Sequence, residues 1–330
     1  MLRPMLALPS TRVSRTNLPT RRPPTVALAL GGGGARGLAH IAILEVFDEL
    51  GVRPIIIAGT SIGAIYGAAY ASGLGAAAIR AHTEETLGQR LDLVRQLFSA
   101  RAEPLLRLAN LLPFRSNLLK PEVLADLVLP SKVARTFADL AIPLLTVATD
   151  FHTQEQVVFA SGDVRQAVAA SMALPAIFSA PVIDGRVLMD GGLVNPLPFD
   201  LLAGRADITI AIDVSGAGQS GAELARREPP SPFEALVASS QILQASIVRE
   251  KLRSHQPDIY IKMPVDAFHV LDFLRFREVL AAAEPAKAEL RGKLARLLGA
   301  ENIAAPPALG AEKPAGVAGP NRRRPPRIKR

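Results

Sequence analysis

Three segments carry residue types that could do acyl chemistry together, in this order along the chain: Gly31-Gly32-Gly33-Gly34-Ala35-Arg36-Gly37, then Gly59-Thr60-Ser61-Ile62-Gly63, then Asp190-Gly191-Gly192. In a Gly-x-Ser-x-Gly segment the serine sits on a sharp turn between a strand and a helix. The flanking Gly59 and Gly63 are required where a Cβ would strike the neighbouring backbone. Ser61 follows an apolar run and precedes a small-residue helical pattern, the context such a turn needs. A serine at this position reads as a nucleophile, the glycine loop as a cradle for negative charge, and Asp190 as a base.

Each role has a competitor. Ser61 could simply cap a helix. The loop from Gly31 to Gly37 offers several backbone N–H groups at a helix N-terminus, which suits an oxyanion or a phosphate alike. As a dinucleotide fingerprint, Gly32-x-Gly34-x-x-Gly37 should be followed by an acidic residue at the end of the second strand. That strand ends instead at Gly59-Thr60-Ser61, and Asp48 and Glu49 come too early. A Walker A loop is excluded because no Gly-Lys-Ser/Thr follows. Arg36 either steadies the loop, faces an anionic substrate group, or is a solvated charge.

The usual base for a serine is histidine. Of His40, His82, His152, His255 and His269, only His40 lies near the motifs, one turn into the first helix, where it reads either as a core or supporting residue or as the catalytic base. Asp190 ends a strand and is followed by Gly191-Gly192 and Asn195-Pro196, which let the backbone turn tightly beside another loop. An unperturbed aspartate, with a pKa of about 3.9, is a weak base for a hydroxyl. Burial in an apolar cleft would raise it.

The elements that must position these residues follow from apolar patterning. Thr25 to Leu30 reads as a central parallel strand, the stretch from Ala35 to Leu50 as a helix burying Leu38, Ile41, Leu44, Val46 and Phe47, and 54–58 as a second buried strand. Strand, glycine loop and helix repeat, so the opening third predicts a parallel α/β sheet. From about Ala76 to Leu140 the pattern is helical and punctuated by prolines, an expected insertion. Further strands are expected at 142–149, 156–160, 207–214 and 258–262, with helices at 164–172, 231–254 and 271–298. Val182 to Met189 reads as a hairpin about Asp184-Gly185, whose second strand ends at Asp190. The predicted fold is therefore a three-layer α/β/α arrangement with a mainly parallel central sheet and a helical insertion.

Charge and composition narrow the partners. The 330 residues are 49% apolar, with a formal charge of +8. Five arginines and no acid lie in residues 1–24, and seven basic residues against Glu312 lie in 304–330, which leaves the body between them at −3. A basic groove for nucleic acid is not expected. The segments 1–24 and 301–330 are proline-rich and read as disordered basic tails flanking one domain, 25–300. Such tails either hold the protein near anionic lipid or aid solubility. The absence of cysteine excludes disulfides and thiolate metal sites. No signal pattern starts the chain, so a cytoplasmic setting, with or without peripheral membrane association, is expected. Pro54 to Ile79 carries no charge and is long enough to span a bilayer. Its glycines around Ser61 favour a buried strand, turn and helix instead.

Taken together, the chain resembles the patatin-like phospholipases, a family of Ser-Asp lipid acyl hydrolases. The family's glycine-rich oxyanion motif is similar to Gly32-Gly33-Gly34-Ala35-Arg36-Gly37, its nucleophile elbow to Gly59-Thr60-Ser61-Ile62-Gly63, and its Asp-Gly-Gly/Ala motif to Asp190-Gly191-Gly192. Ala148-Thr149-Asp150, Ala170-Ser171-Met172-Ala173-Leu174-Pro175 and Asn195-Pro196-Leu197-Pro198 also resemble it, and the likeness covers roughly residues 25–215. The resemblance implies that Asp190 activates Ser61, that an acyl-enzyme forms, and that water releases a fatty acid from a phospholipid or other acyl ester, with no metal or cofactor. It implies a further oxyanion donor at Ile62. Transfer to an acceptor other than water, or non-catalytic lipid or partner binding on the same fold, stays open at this point. Leu91, Leu93, Val94, Leu97, Phe98, Leu105, Leu106, Leu108, Leu111, Leu112 and Phe114 are expected either to line an acyl channel or to pack the core.

Overall fold

The computed structural model describes residues 22–89, 119–175, 177–216, 229 and 232–298. The expected tails, apart from residues 22–24, and the proposed channel residues from Leu91 to Phe114 lie outside the described residues. The strands are β1 (Val26–Leu30), β2 (Ile56–Thr60), β3 (Leu144–Asp150), β4 (Gln156–Phe159), β5 (Val182–Ile183), β6 (Arg186–Asp190), β7 (Ile208–Asp213) and β8 (Ile259–Lys262). The helices are α1 (His40–Glu49), α2 (Ile62–Ala71), α3 (Ala76–Gln89), α4 (Pro121–Val128), α5 (Val164–Ser171), α6 (Pro232–Ser254) and α7 (Phe276–Leu298).

The sheet order is β5-β6-β3-β2-β1-β7-β8, with β4 on the far edge of β3. β3, β2, β1, β7 and β8 run parallel, and the antiparallel strands gather at one end. Every residue of β1, β2, β3 and β7 is buried, as expected of strands covered on both faces. Because side chains alternate, Leu28 and Leu30 join one apolar cluster with α1, α2 and α7, while Ala27 and Ala29 join another with Leu197, Phe199 and Val248. The second face is thinner: alanines meet a short turn and α6. The expected three layers are present, with this asymmetry.

One arrangement at β3 places the site. Residues 146–149 of β3 pair with β4 on one edge. On the other edge β2 runs parallel as far as Thr60 opposite Val147, and β6 runs antiparallel as far as Asp190 opposite Ala148. β2 and β6 therefore meet head to head on a single edge. Their last residues lie opposite consecutive positions of β3, so the chain leaving β2 at Ser61 must pass the carboxyl end of β6. The β5–β6 hairpin that delivers Asp190 turns at Asp184 and Gly185, with φ of 50° and 77°, the pair of left-handed residues a two-residue turn needs.

Several boundaries differ from expectation, three of them in elements beside the site. The segment after the glycine loop opens as a 3-10 turn, Gly34–Ala39, before α1 begins. β2 starts at Ile56 rather than Pro54 and continues through Gly59 and Thr60, because its pairing with β1 begins at Ala27–Ile56. α7 starts at Phe276, after a 3-10 turn at Phe273–Arg275. The uncharged stretch Pro54 to Ile79 forms β2, α2 and the start of α3, and among the described residues no helix is long and apolar enough to cross a membrane.

Candidate active site

Ser61 occupies the turn between β2 and α2 with φ 54° and ψ −121°, a conformation that costs a non-glycine residue about 1–3 kcal/mol. The neighbours hold it there. A Cβ on Gly63 would lie 2.1 Å from Leu30 O, and one on Gly59 would lie 2.6 Å from Gly63 O, so both positions admit only hydrogen. The Ser61 N–H donates to Ser171 Oγ at 2.8 Å, and the Thr60 hydroxyl donates to Asn195 O at 2.8 Å.

Ser61 Oγ donates to Asp190 Oδ2 at 2.7 Å. The other carboxylate oxygen, Oδ1, accepts from Gly192 N–H at 2.7 Å, and Thr149 Oγ1 donates to the Asp190 carbonyl at 2.8 Å. A Cβ on Gly191 would lie 2.2 Å from Val147 O, which explains the glycine directly after the aspartate. Asp190 is only 4% exposed. Burial pushes its carboxyl up to about 6, against the opposing pull of the Ser61 and Gly192 hydrogen bonds. This is a carboxylate made more basic than usual and pointed at a serine hydroxyl.

The glycine loop closes over the same point. The Cβ that Gly32 lacks would stand 3.4 Å from Ser61 Cβ, so the loop and the elbow are in contact. Not all its amides are available. Gly31 N–H donates to Ile212 O and Gly32 N–H to Pro196 O at 2.9 Å. Gly33 and Gly34, and Ile62 at the first position of α2, have no acceptor for their N–H groups among the described residues, and all three line the cleft that contains Ser61. Gly34 needs its left-handed φ of 57°, and a Cβ there would lie 2.4 Å from Val270 O. Gly37 points elsewhere: a Cβ there would meet Ile62 Cγ2 at 2.1 Å, so its role is close packing of the loop on the elbow.

Arg36 is buried, which sets aside a solvated charge. Its Nε donates to Phe268 O at 2.6 Å and its Nη1 to Gln241 Oε1 at 3.1 Å, with no carboxylate at ion-pair distance among the described residues. Burial pushes the guanidinium below its usual range, while Asp266 and Asp272 act in the opposite sense. It both anchors the loop and forms part of the cleft wall. His40 is fully buried, with Nε2 2.9 Å from Gly31 O; because that oxygen only accepts, Nε2 carries the proton. Burial lowers its pKa to about 4, so it is a neutral support for the loop.

The rest of the cleft lining is mixed: Leu124, Met172, Leu174 and Phe178 are among its apolar residues, and Ser215, Ser240, Gln241 and Gln244 among its polar ones. Among the described residues no group of three or more His, Cys, Asp or Glu side chains could hold a metal ion.

Several supporting residues were not assigned a role from sequence. Ser171 closes the small-residue helix expected at 164–172, which was its only signal besides the resemblance, and neither gave it a role. Lys251 carried none. It lies among the basic residues of the last turns of α6, yet its Nζ donates to Asn195 Oδ1, Leu197 O and Asp200 Oδ1. It thereby fixes the loop whose Asn195 and Pro196 carbonyls hold Thr60 and Gly32.

The family described as patatin-like phospholipase matches residues 28–203, more than half of the chain. A Mycobacterium tuberculosis protein named an uncharacterized NTE family protein is 37% identical over 195 residues, covering 59% of this chain and 50% of that protein. Human patatin-like phospholipase domain-containing protein 6 is 30% identical over 282 residues, covering 77% of this chain and 19% of that protein. The chain thus spans half the length of the mycobacterial relative and about a fifth of the human one. Among solved structures, VipD from Legionella pneumophila is similar at 15% identity and a TM-score of 0.40, covering 82% of this chain and 67% of that one. The fold assignment stands on the strand order above, not on that likeness.

Proposed function

The chain belongs to the patatin-like phospholipase family, and we propose that it is a serine lipid acyl hydrolase in which Asp190 activates Ser61 to cleave a fatty-acyl ester. The observation that carries this reading is the 2.7 Å hydrogen bond from Ser61 Oγ to a buried carboxylate whose pKa is raised to about 6.

In the acylation step Asp190 Oδ2 takes the Ser61 proton as Oγ attacks the ester carbonyl carbon. The oxyanion that forms accepts from the N–H groups of Gly33, Gly34 and Ile62, placed at a helix start where the backbone dipole also favours negative charge. Collapse breaks the ester C–O bond, and the leaving alkoxide recovers the proton from Asp190. Water, losing a proton to the same carboxylate, then attacks the acyl-enzyme, releasing a fatty acid and restoring the Ser61 hydroxyl. The raised pKa narrows the mismatch between carboxylate and hydroxyl while leaving Asp190 ionised at neutral pH. Gly32 and Gly37 shape the loop rather than donate to the oxyanion.

The leucine, methionine and phenylalanine side chains of the lining suit an acyl chain. Its polar groups, with Arg36, suit the polar part of a phospholipid or lysophospholipid, its phosphodiester included. The test is product analysis with phosphatidylcholine vesicles. Free fatty acid and lysophospholipid should appear with the unaltered protein and fall at least about a hundredfold with Ser61→Ala or Asp190→Asn. Acyl product found only on an added alcohol would make it a transferase, and no acyl product of either kind would overturn the catalytic reading.

A further inference from the structure

Helix α6 is built inside out. Its residues 235–248 contain no charged side chain. Val237, Ser240, Gln241 and Gln244 face the cleft. The opposite arc turns Leu236, Ile242 and Leu243 to solvent, the last two 65% and 63% exposed. A helix that only covers a sheet would do the reverse.

The same inversion recurs on two other elements that wall the cleft. On α4, Leu124 lines the cleft and the adjacent Val123 is 66% exposed; at the 3-10 turn before α7, Phe273 lines it and the adjacent Leu274 is exposed. Half of the large apolar side chains exposed among the described residues therefore sit next to a cleft-wall residue. Three separate elements each pair an outward apolar residue with an inward wall residue, so the feature belongs to the cleft mouth and not to one helix.

We propose that the outward arc of α6, together with Val123 and Leu274, seats the mouth of the cleft on a lipid bilayer. This rests on the lipid-substrate reading above, since an acyl chain drawn from a bilayer would enter a cleft whose rim is already apolar. The outward arc of residues 235–248 also lacks what a specific protein partner uses. Beside Leu236, Ile242 and Leu243 its exposed positions are Ala238, Ser239 and Ser246, and the stretch contains no aromatic residue and no arginine. About four turns of uncharged helix, roughly 20 Å long, match a segment lying in the interfacial plane.

The chain has no cysteine, so a single introduced one can be labelled alone. In a Ser61→Ala background, Leu243→Cys, Leu274→Cys and Ile55→Cys are each labelled with a polarity-sensitive fluorophore and mixed with phosphatidylcholine vesicles. These vesicles carry no net charge, so the basic terminal segments contribute little. The expected result is a blue shift at 243 and 274 and none at 55, which precedes β2 at the opposite end of the sheet. In the same background, replacing Leu236, Ile242 and Leu243 together by Asp should lower vesicle partition roughly tenfold or more. The proposal is overturned by unchanged emission at 243, or by partition unaffected in the triple variant. It is also overturned if the label at 243 already reports an apolar setting in buffer: loss of that signal on dilution would identify a second copy of the chain as the occupant, and persistence would identify another part of the same chain. Because binding is read in an inactive variant, it fails or succeeds independently of fatty-acid release.

Discussion

Replacing Asp190 by Asn should stabilise the protein at neutral pH while abolishing turnover. The native carboxyl has its pKa raised from 3.8 to about 6 by burial. An acid whose folded pKa lies above its unfolded value contributes stability below the unfolded pKa and loses it as pH rises through the folded one. Two units of pKa correspond to about 3 kcal/mol. Relative to a side chain that does not titrate, the raised pKa of Asp190 therefore costs about 1.5 kcal/mol at pH 5, where the acid must take up a proton on folding, and about 3 kcal/mol by pH 8, where it is buried ionised. Asparagine keeps an acceptor for the Gly192 N–H and offers its amide to Ser61 Oγ, so the hydrogen bonds survive while the buried charge goes. Urea unfolding of both proteins at pH 5, 6, 7 and 8 reads the difference directly, and other titrating groups cancel between the two. Asp190→Asn should be the more stable form, with an advantage that grows over this range. An advantage that is absent at pH 8, or that does not change with pH, would refute the argument that burial sets the basicity of this carboxylate.

The rate should report the same group: kcat/KM for a soluble ester should rise with pH and level off above about 6, because the base must be ionised, and a flat profile between pH 5 and 7 would contradict it. Gly63→Ala should cost more than about 2 kcal/mol in urea unfolding and abolish activity, since its Cβ would meet the Leu30 and Gly31 carbonyls, which no side-chain rotation can relieve. Ser171→Ala leaves the Ser61 N–H without its acceptor, so kcat should fall with little change in KM, at a stability cost of about 1–2 kcal/mol. Lys251→Met removes the ammonium that joins Asn195, Leu197 and Asp200 and should destabilise by about 2 kcal/mol, with part of the loss recovered by adding Asp200→Asn.

The parts of the site legible in the sequence are those where the local backbone dictates residue type. Gly59, Gly63 and Gly191 are glycines because a Cβ would strike a main-chain atom, and Asp184-Gly185 forms a turn because both residues must be left-handed. These constraints act within a few residues and leave a readable mark. The strands of the parallel sheet were legible for a related reason, since burial on both faces leaves unbroken apolar runs such as Val26 to Leu30. What could not be read depends on partners far along the chain. Nothing local shows that β2 and β6 meet on one edge of β3. Nor does the glycine loop reveal that Pro196 takes the Gly32 amide while those of Gly33 and Gly34 have no acceptor among the described residues. Helix α6 would mislead a periodicity reading over 235–248, because Leu236 and Leu243 face outward while Gln241 and Gln244 line the cleft. Lys251 was hidden by lying among other basic residues.

The central claim is that Ser61 is a nucleophile made reactive by Asp190. Intact-mass analysis after exposure to a fluorophosphonate tests it most directly, comparing the unaltered protein with Ser61→Ala and Asp190→Asn, each with and without phosphatidylcholine vesicles. The account predicts one adduct on the unaltered protein, none on Ser61→Ala, and labelling slowed at least about a hundredfold in Asp190→Asn. Absence of an adduct under every condition, or equal labelling of Asp190→Asn, would contradict it.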